Sequence, residues 1–204
     1  MLTADIKTLL EFRRAPSGDR CGLCARPLGA AHSHLLQRST KRVVCSCEAC
    51  AVLFGYRKEN HELLRIPSQA RRLDCFRITD AQWNALLLPI DLAFFLKRDQ
   101  PEAIAAYYPS PAGNTESLLS LESWGAIVED NPELAALQPE IEALLVNRTN
   151  GRREYFIAPI DQCYRLTGLI RMHWRGLSGG EAVWREITGF FDSLSVASHE
   201  AVHA

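Results

Sequence analysis

CGLCARPLGAAHSHLLQRSTKRVVCSCEAC, residues 21–50, holds five of the seven cysteines and two of the six histidines of a 204-residue chain. Two Cys-x-x-Cys pairs, Cys21 with Cys24 and Cys47 with Cys50, are separated by 22 residues. A Cys-x-x-Cys turn lets two sulfurs converge on one ion while backbone amides of the turn point at the thiolates. Two such turns brought together by a hairpin supply the four sulfurs of a tetrahedral site. The intervening chain reads as that hairpin: AHSHLLQ (31–37), a polar turn RSTK (38–41), then RVVCSC (42–47). The spacing predicts a metal site at Cys21, Cys24, Cys47 and Cys50 in a small zinc-ribbon-like module over 18–56.

Three neighbours leave alternatives open. Cys45 lies two residues before Cys47, so a strand would turn both sulfurs to one face. It could replace Cys47 as a ligand or stand beside the site as a small buried apolar residue. His32 and His34 also share a strand face. They would complete a mixed cysteine–histidine site, or flank the sulfurs with one of them donating a hydrogen bond to a thiolate.

Zn2+ is the default ion for such a ribbon. Iron in the same geometry would make a rubredoxin-type electron carrier, and spacing does not separate the two. A four-thiolate shell has no open coordination position, which argues against hydrolysis at this centre. The outline also resembles HNH endonucleases, in which a four-cysteine zinc scaffold presents a histidine base beside a second metal. The segment from His34 to Cys47 is short for that pattern and lacks its asparagine and second histidine, while His61 stands in a polar stretch.

The bulk numbers set the frame. Hydrophobic residues at 47% and charged residues at 23% describe a globular chain. No apolar run approaches the roughly 18 to 20 residues that cross a bilayer. The first 20 residues carry charges through their apolar stretch and lack a small-residue cleavage site, so they do not read as a secretory signal. A cytoplasmic location is expected, where clustered thiols bind metal more often than they pair. Residues 1–74 hold 13 Lys+Arg against 7 Asp+Glu, and residues 75–204 hold 10 against 17. Four thiolates around a divalent ion lower the basic front from +6 to about +4. That excess is too small to argue for nucleic acid, but the asymmetry supports two modules.

Helical spacing of Leu2, Ile6, Leu9 and Leu10 predicts an N-terminal helix within 1–17. Residues 57–72 are polar and basic and read as a connector. An α+β domain with antiparallel hairpins and several helices follows over 73–196, and 197–204 reads as a flexible tail. Within that domain LDCFRI (73–78) reads as a strand. Thr79 and Gln82 form a capping box for a short helix. IDLAFFLK and AIAAYY make a buried hairpin, with PSPAGN as an exit loop and SLLSLESWGAIVE as a helix. ALLVNR and EYFIAP flank the turn TNGR, and DQCYRLTGLIRMHW is a second long helix. SGGE (178–181) opens a last helix whose Val183, Ile187, Phe190, Phe191 and Leu194 form one apolar stripe. There is no P-loop, GxGxxG, GxSxG or HExxH. Cys75 and Cys163 sit in apolar patterns and read as core residues.

Several stretches together carry a resemblance: CGLC…HSHLL…CSCEACAVLF, QWNALLLPIDLAFF, AYYPSPAGNTES and IDQCYRLTGLIRMHWRGLSGGEAVW. Over most of 18–194 the chain resembles a bacterial family of unknown function found in gene clusters of actinobacterial-type uptake nickel–iron hydrogenases. That context, together with the closed four-thiolate shell and the absence of catalytic motifs, leads to the expectation of a non-enzymatic accessory role, with hydrogenase subunits or maturation proteins as partners. It supplies no catalytic residue. Its metal motif is the cysteines together with His32 and His34.

Overall fold

The structure, a computed structural model, describes residues 20–55, 62–99, 103–110, 113–118, 121–176 and 179–200. Among these residues the fold is α+β, with nine strands in two antiparallel sheets and five helices. The chain divides between Arg65 and Ile66 into two compact units.

In the smaller unit β1 (Ser33–Gln37) is the central strand, with β2 (Arg42–Ser46) on one side and β3 (Leu63–Arg65) on the other. Thr40 donates from Oγ1 to the Gln37 side chain across the turn between β1 and β2, 2.9 Å away. Helix α1 (Glu48–Phe54) follows β2 after one residue, burying Cys50 and Ala51 and leaving Val52, Leu53 and Phe54 exposed. Leu35 and Leu36 are both buried although adjacent strand residues point to opposite faces, so both faces of β1 are covered. Gly55 ends α1 where nothing larger fits. A Cβ there would lie 2.6 Å from the Ala51 carbonyl and 2.8 Å from both Leu35 and Arg65 side-chain atoms.

The larger unit is built on a six-stranded antiparallel sheet ordered β4-β9-β8-β5-β6-β7. Its strands are β4 (Arg71–Arg72), β5 (Leu92–Arg98), β6 (Ala103–Ser110), β7 (Gly113–Leu118), β8 (Glu142–Asn147) and β9 (Glu154–Pro159). Every residue of β8 is buried. Near-continuous apolar strands such as ALLV and LAFFL are expected where a sheet is covered on both faces. On one face α2 (Asp80–Ala85) and α3 (Leu121–Asp130) place Trp83 and Trp124 against Phe95, at ring distances of 6.2 and 5.9 Å. On the other, α5 (Gly180–Glu200) sets Phe191 on Phe156 at 6.0 Å. Helix α4 (Ile160–His173) lies on that side as well, its buried Cys163, Leu166 and Ile170 covering the sheet.

Several expectations are met in this unit: both hairpins, the Thr79–Gln82 capping box, α4, and the stripe of α5, all five of whose named residues are buried. Others are corrected. The presumed connector supplies a strand to each sheet, because Leu64 pairs with Leu36 and Arg71 with Ile157. LDCFRI is a loop, not a strand. Buried Asn131 captures its backbone: its Oδ1 accepts from the Arg77 N–H (2.6 Å), and its Nδ2 donates to the carbonyls of Arg77 (2.7 Å) and Ile127 (2.8 Å). This loop leaves Cys75 exposed, whereas Cys163 is buried as expected.

Pro109 of PSPAGN does not end the sheet. Pro109 lies past Tyr107, the last β6 residue paired to β5, and the chain returns as β7. Ser117 and Leu118 therefore belong to β7, and α3 begins only at Leu121. The supposed tail continues α5 to Glu200, with Ser198 donating to the Leu194 carbonyl at 2.9 Å. The N-terminal helix of 1–17, residues 57–61 with His61, Ser178 of the last capping box and residues 201–204 lie outside the described residues.

Asn131→Ala removes three hydrogen bonds and strands the Arg77 backbone amide and carbonyl. The expected loss is about 1–3 kcal/mol, read as a lower urea midpoint with an unchanged slope.

Candidate metal centre

The first cysteine pair sits on a tight turn. Cys21 N–H donates to the Arg26 carbonyl at 2.9 Å and Ala25 N–H to the Cys21 carbonyl at 2.8 Å, with Arg20 bridged to Pro27. Ala25 closes the turn in the left-handed region at φ 59°. The turn is fastened to β2 by Gly22 N–H donating to the Cys45 carbonyl at 2.8 Å. Glycine is required here, because a Cβ at residue 22 would come within 2.6 Å of Val44 Cγ1.

The second pair is set by the change from strand to helix. Cys47 is the residue preceding α1, with extended backbone (φ −73°, ψ 158°), and Cys50 falls in the first turn of the helix. Glu48 braces this corner, accepting from Ser33 Oγ of β1 at 2.6 Å and from Arg65 of β3 at 2.7 Å. Those two contacts, the serine hydroxyl first, hold its carboxyl below the usual carboxylate range.

The four sulfurs of Cys21, Cys24, Cys47 and Cys50 lie within 4.8 Å of one another and could hold a metal ion. Cys24 Sγ and Cys47 Sγ are 3.7 Å apart. A tetrahedral zinc or iron centre with metal–sulfur bonds of about 2.3 Å has edges of about 3.8 Å, so this separation already fits. Cys21, Cys47 and Cys50 are buried, and Cys24 forms the exposed rim.

The thiols differ sharply in acidity. Backbone N–H groups, that of Cys47 foremost, stabilise the Cys21 thiolate and bring it down to about 6 against the opposing effect of burial. Burial first, then the surrounding thiols, push Cys50 up to about 12. Four thiolates cannot crowd together without a compensating charge, and a bound cation supplies it. The donor set thus fits a divalent ion of borderline softness and does not fit Mg2+ or Ca2+.

Cys45, His32 and His34 form a separate group, on ligand atoms likewise within 4.8 Å of one another. Cys45 and Cys47 do not act together: the Cys47 sulfur joins those of Cys21, Cys24 and Cys50, whereas Cys45 lies with the two histidines. Cys47 stands between the end of β2 at Ser46 and the start of α1. In the larger unit lies a groove of about 500 Å³ that no sequence motif foretells, its lining including Phe76, Arg77, Thr79, Gln82, Arg153 and Tyr155. It arises from the loop that Asn131 holds, and no local pattern in 73–79 announces that capture.

Fold and site together define an antiparallel α+β protein with a tetracysteine candidate metal centre. No helix among the described residues is long and apolar enough to cross a membrane. Residues 20–198 match the model of the family of unknown function DUF5947, and the chain belongs to that family. No curated protein and no solved structure shows significant similarity to it.

Metal affinity is expected to fall as the pH falls, since protons compete for the thiolates. The slope should steepen below about 6, where binding must also displace a proton from Cys21. Competition titration of Zn2+ against a chromophoric chelator across this range measures it.

Proposed function

We propose that this protein is a non-enzymatic, metal-binding accessory factor whose four-cysteine centre holds a structural Zn2+ ion. The convergence of Cys21, Cys24, Cys47 and Cys50 carries this reading. Four thiolates fill a tetrahedral shell and leave no position for substrate or water, so such an ion contributes folding energy and not chemistry. In this role the ion joins the first cysteine turn to the start of α1 and thereby fixes both ends of the β1–β2 hairpin. The larger unit then serves as the docking part, with subunits or maturation proteins of a nickel–iron hydrogenase as partners. The sequence resemblance is what supports that partner assignment.

Iron at the same four sulfurs is the competing reading, favoured by the same observation, and would make the protein a one-electron carrier. Protein purified aerobically from a native host decides between them. Zinc gives a colourless preparation with the metal lost on substituting any one of the four cysteines. A red preparation that bleaches on reduction replaces the structural reading with the redox one. For the partner, the hydrogenase should co-purify with the tagged chain, and hydrogenase maturation should be impaired in a deletion strain. Normal maturation there would overturn the accessory role while leaving the metal centre untouched.

A further inference from the structure

We propose that His32, His34 and Cys45 form a second transition-metal site, distinct from the four-cysteine centre, with an open coordination position. It does not depend on which ion the four cysteines hold. The antiparallel register places His34 directly opposite Cys45. Strand alternation puts both on the face away from Ser33, Leu35 and Val44. The latter face is the one that meets α1 and the first cysteine turn, through Ser33 with Glu48, Leu35 with Gly55 and Val44 with Gly22. The two candidate sites therefore use opposite faces of one hairpin. His32 precedes β1 on the His34 side, its ring edge-on to that of His34 at 4.9 Å.

His32 provides the observation that points to a ligand. Its Nδ1 lies 2.9 Å from the Gly29 carbonyl oxygen. A carbonyl can only accept, so Nδ1 carries the proton and, in the neutral ring, Nε2 presents its lone pair. That Nε2 is buried and has no hydrogen-bond partner. A backbone carbonyl fixing one imidazole nitrogen while the other faces inward is the arrangement found behind metal-ligating histidines. The three ligand atoms lie within 4.8 Å of one another, where a tetrahedral ion would draw them to edges of about 3.3 to 3.6 Å by side-chain rotation.

Two imidazoles and one thiolate select zinc, cobalt or copper over hard cations. Three protein ligands leave the fourth position for water or an exchangeable ligand, as in zinc sites that do chemistry. All three residues are half-buried, neither sealed in the core nor fully in solvent.

Cobalt titration of the full chain tests this. The expected result is two spectroscopically distinct equivalents: one with the intense sulfur charge transfer of a four-thiolate site, and one with weaker charge transfer from a single thiolate. In a His32→Ala/His34→Ala variant the first persists and the second weakens by more than the roughly 10- to 100-fold that loss of an outer hydrogen-bond partner costs. A single equivalent in the native chain, or a second equivalent unchanged in the variant, overturns the proposal. Persistence of the four-thiolate spectrum shows that the variant is folded. Should that spectrum vanish, alkylation of the native chain decides: Zn2+ beyond the first equivalent must slow modification of Cys45, mapped by peptide mass, and an unchanged rate refutes the site.

Discussion

The antiparallel pairing of β1 with β2, in which His34 faces Cys45 and Leu35 faces Val44, determines where every candidate ligand of the smaller unit goes. Val44 and the Cys45 carbonyl anchor the first cysteine turn through Gly22, and the end of β2 at Ser46 delivers Cys47 and Cys50 into the start of α1. A slip of one residue would move each side chain to the other face of the sheet. Cys45 would then turn towards the four sulfurs, and Val44 would leave Gly22. The register is thus the constraint on which the separation of the two groups rests, and buried Leu35 and Leu36 hold it.

The hairpin was legible because its signals are local: the short apolar-centred segments SHLLQ and RVVCS, a polar turn, and a cysteine pair at each end. The buried strands of the larger unit were legible for a similar reason, since apolar runs such as LAFFL and ALLV leave little choice of environment. What escaped was set by distant partners. Three-residue β3 has no pattern of its own and exists because Leu64 and Leu63 find Leu36 and Gln37. The loop after β4 has an apolar, strand-like composition, but a single buried asparagine more than 50 positions along the chain takes up its backbone, as the Asn131 bonds to Arg77 show. Proline at 109 reads as a break, yet it falls beyond the β5 ladder, where only β7 flanks β6.

The site was legible in composition and only partly in geometry. Spacing singled out Cys21, Cys24, Cys47 and Cys50, and these are the sulfurs that converge. Spacing could not assign Cys45, whose direction depends on where β2 stops. Nor could it reveal that the Gly29 carbonyl orients His32, because that bond follows from the path of 29–32 before β1. The groove beside Tyr155 and Arg153 depends on the same long-range capture that hid the loop.

An ion that holds the smaller unit together through the four cysteines must leave its mark on amide hydrogen exchange of the full chain, followed with and without a strong chelator. Removing the ion is predicted to abolish protection across β1, β2 and β3 while the six-stranded sheet keeps its own. Unchanged protection in β1 and β2 after complete metal removal would show that the ion does not hold this unit together.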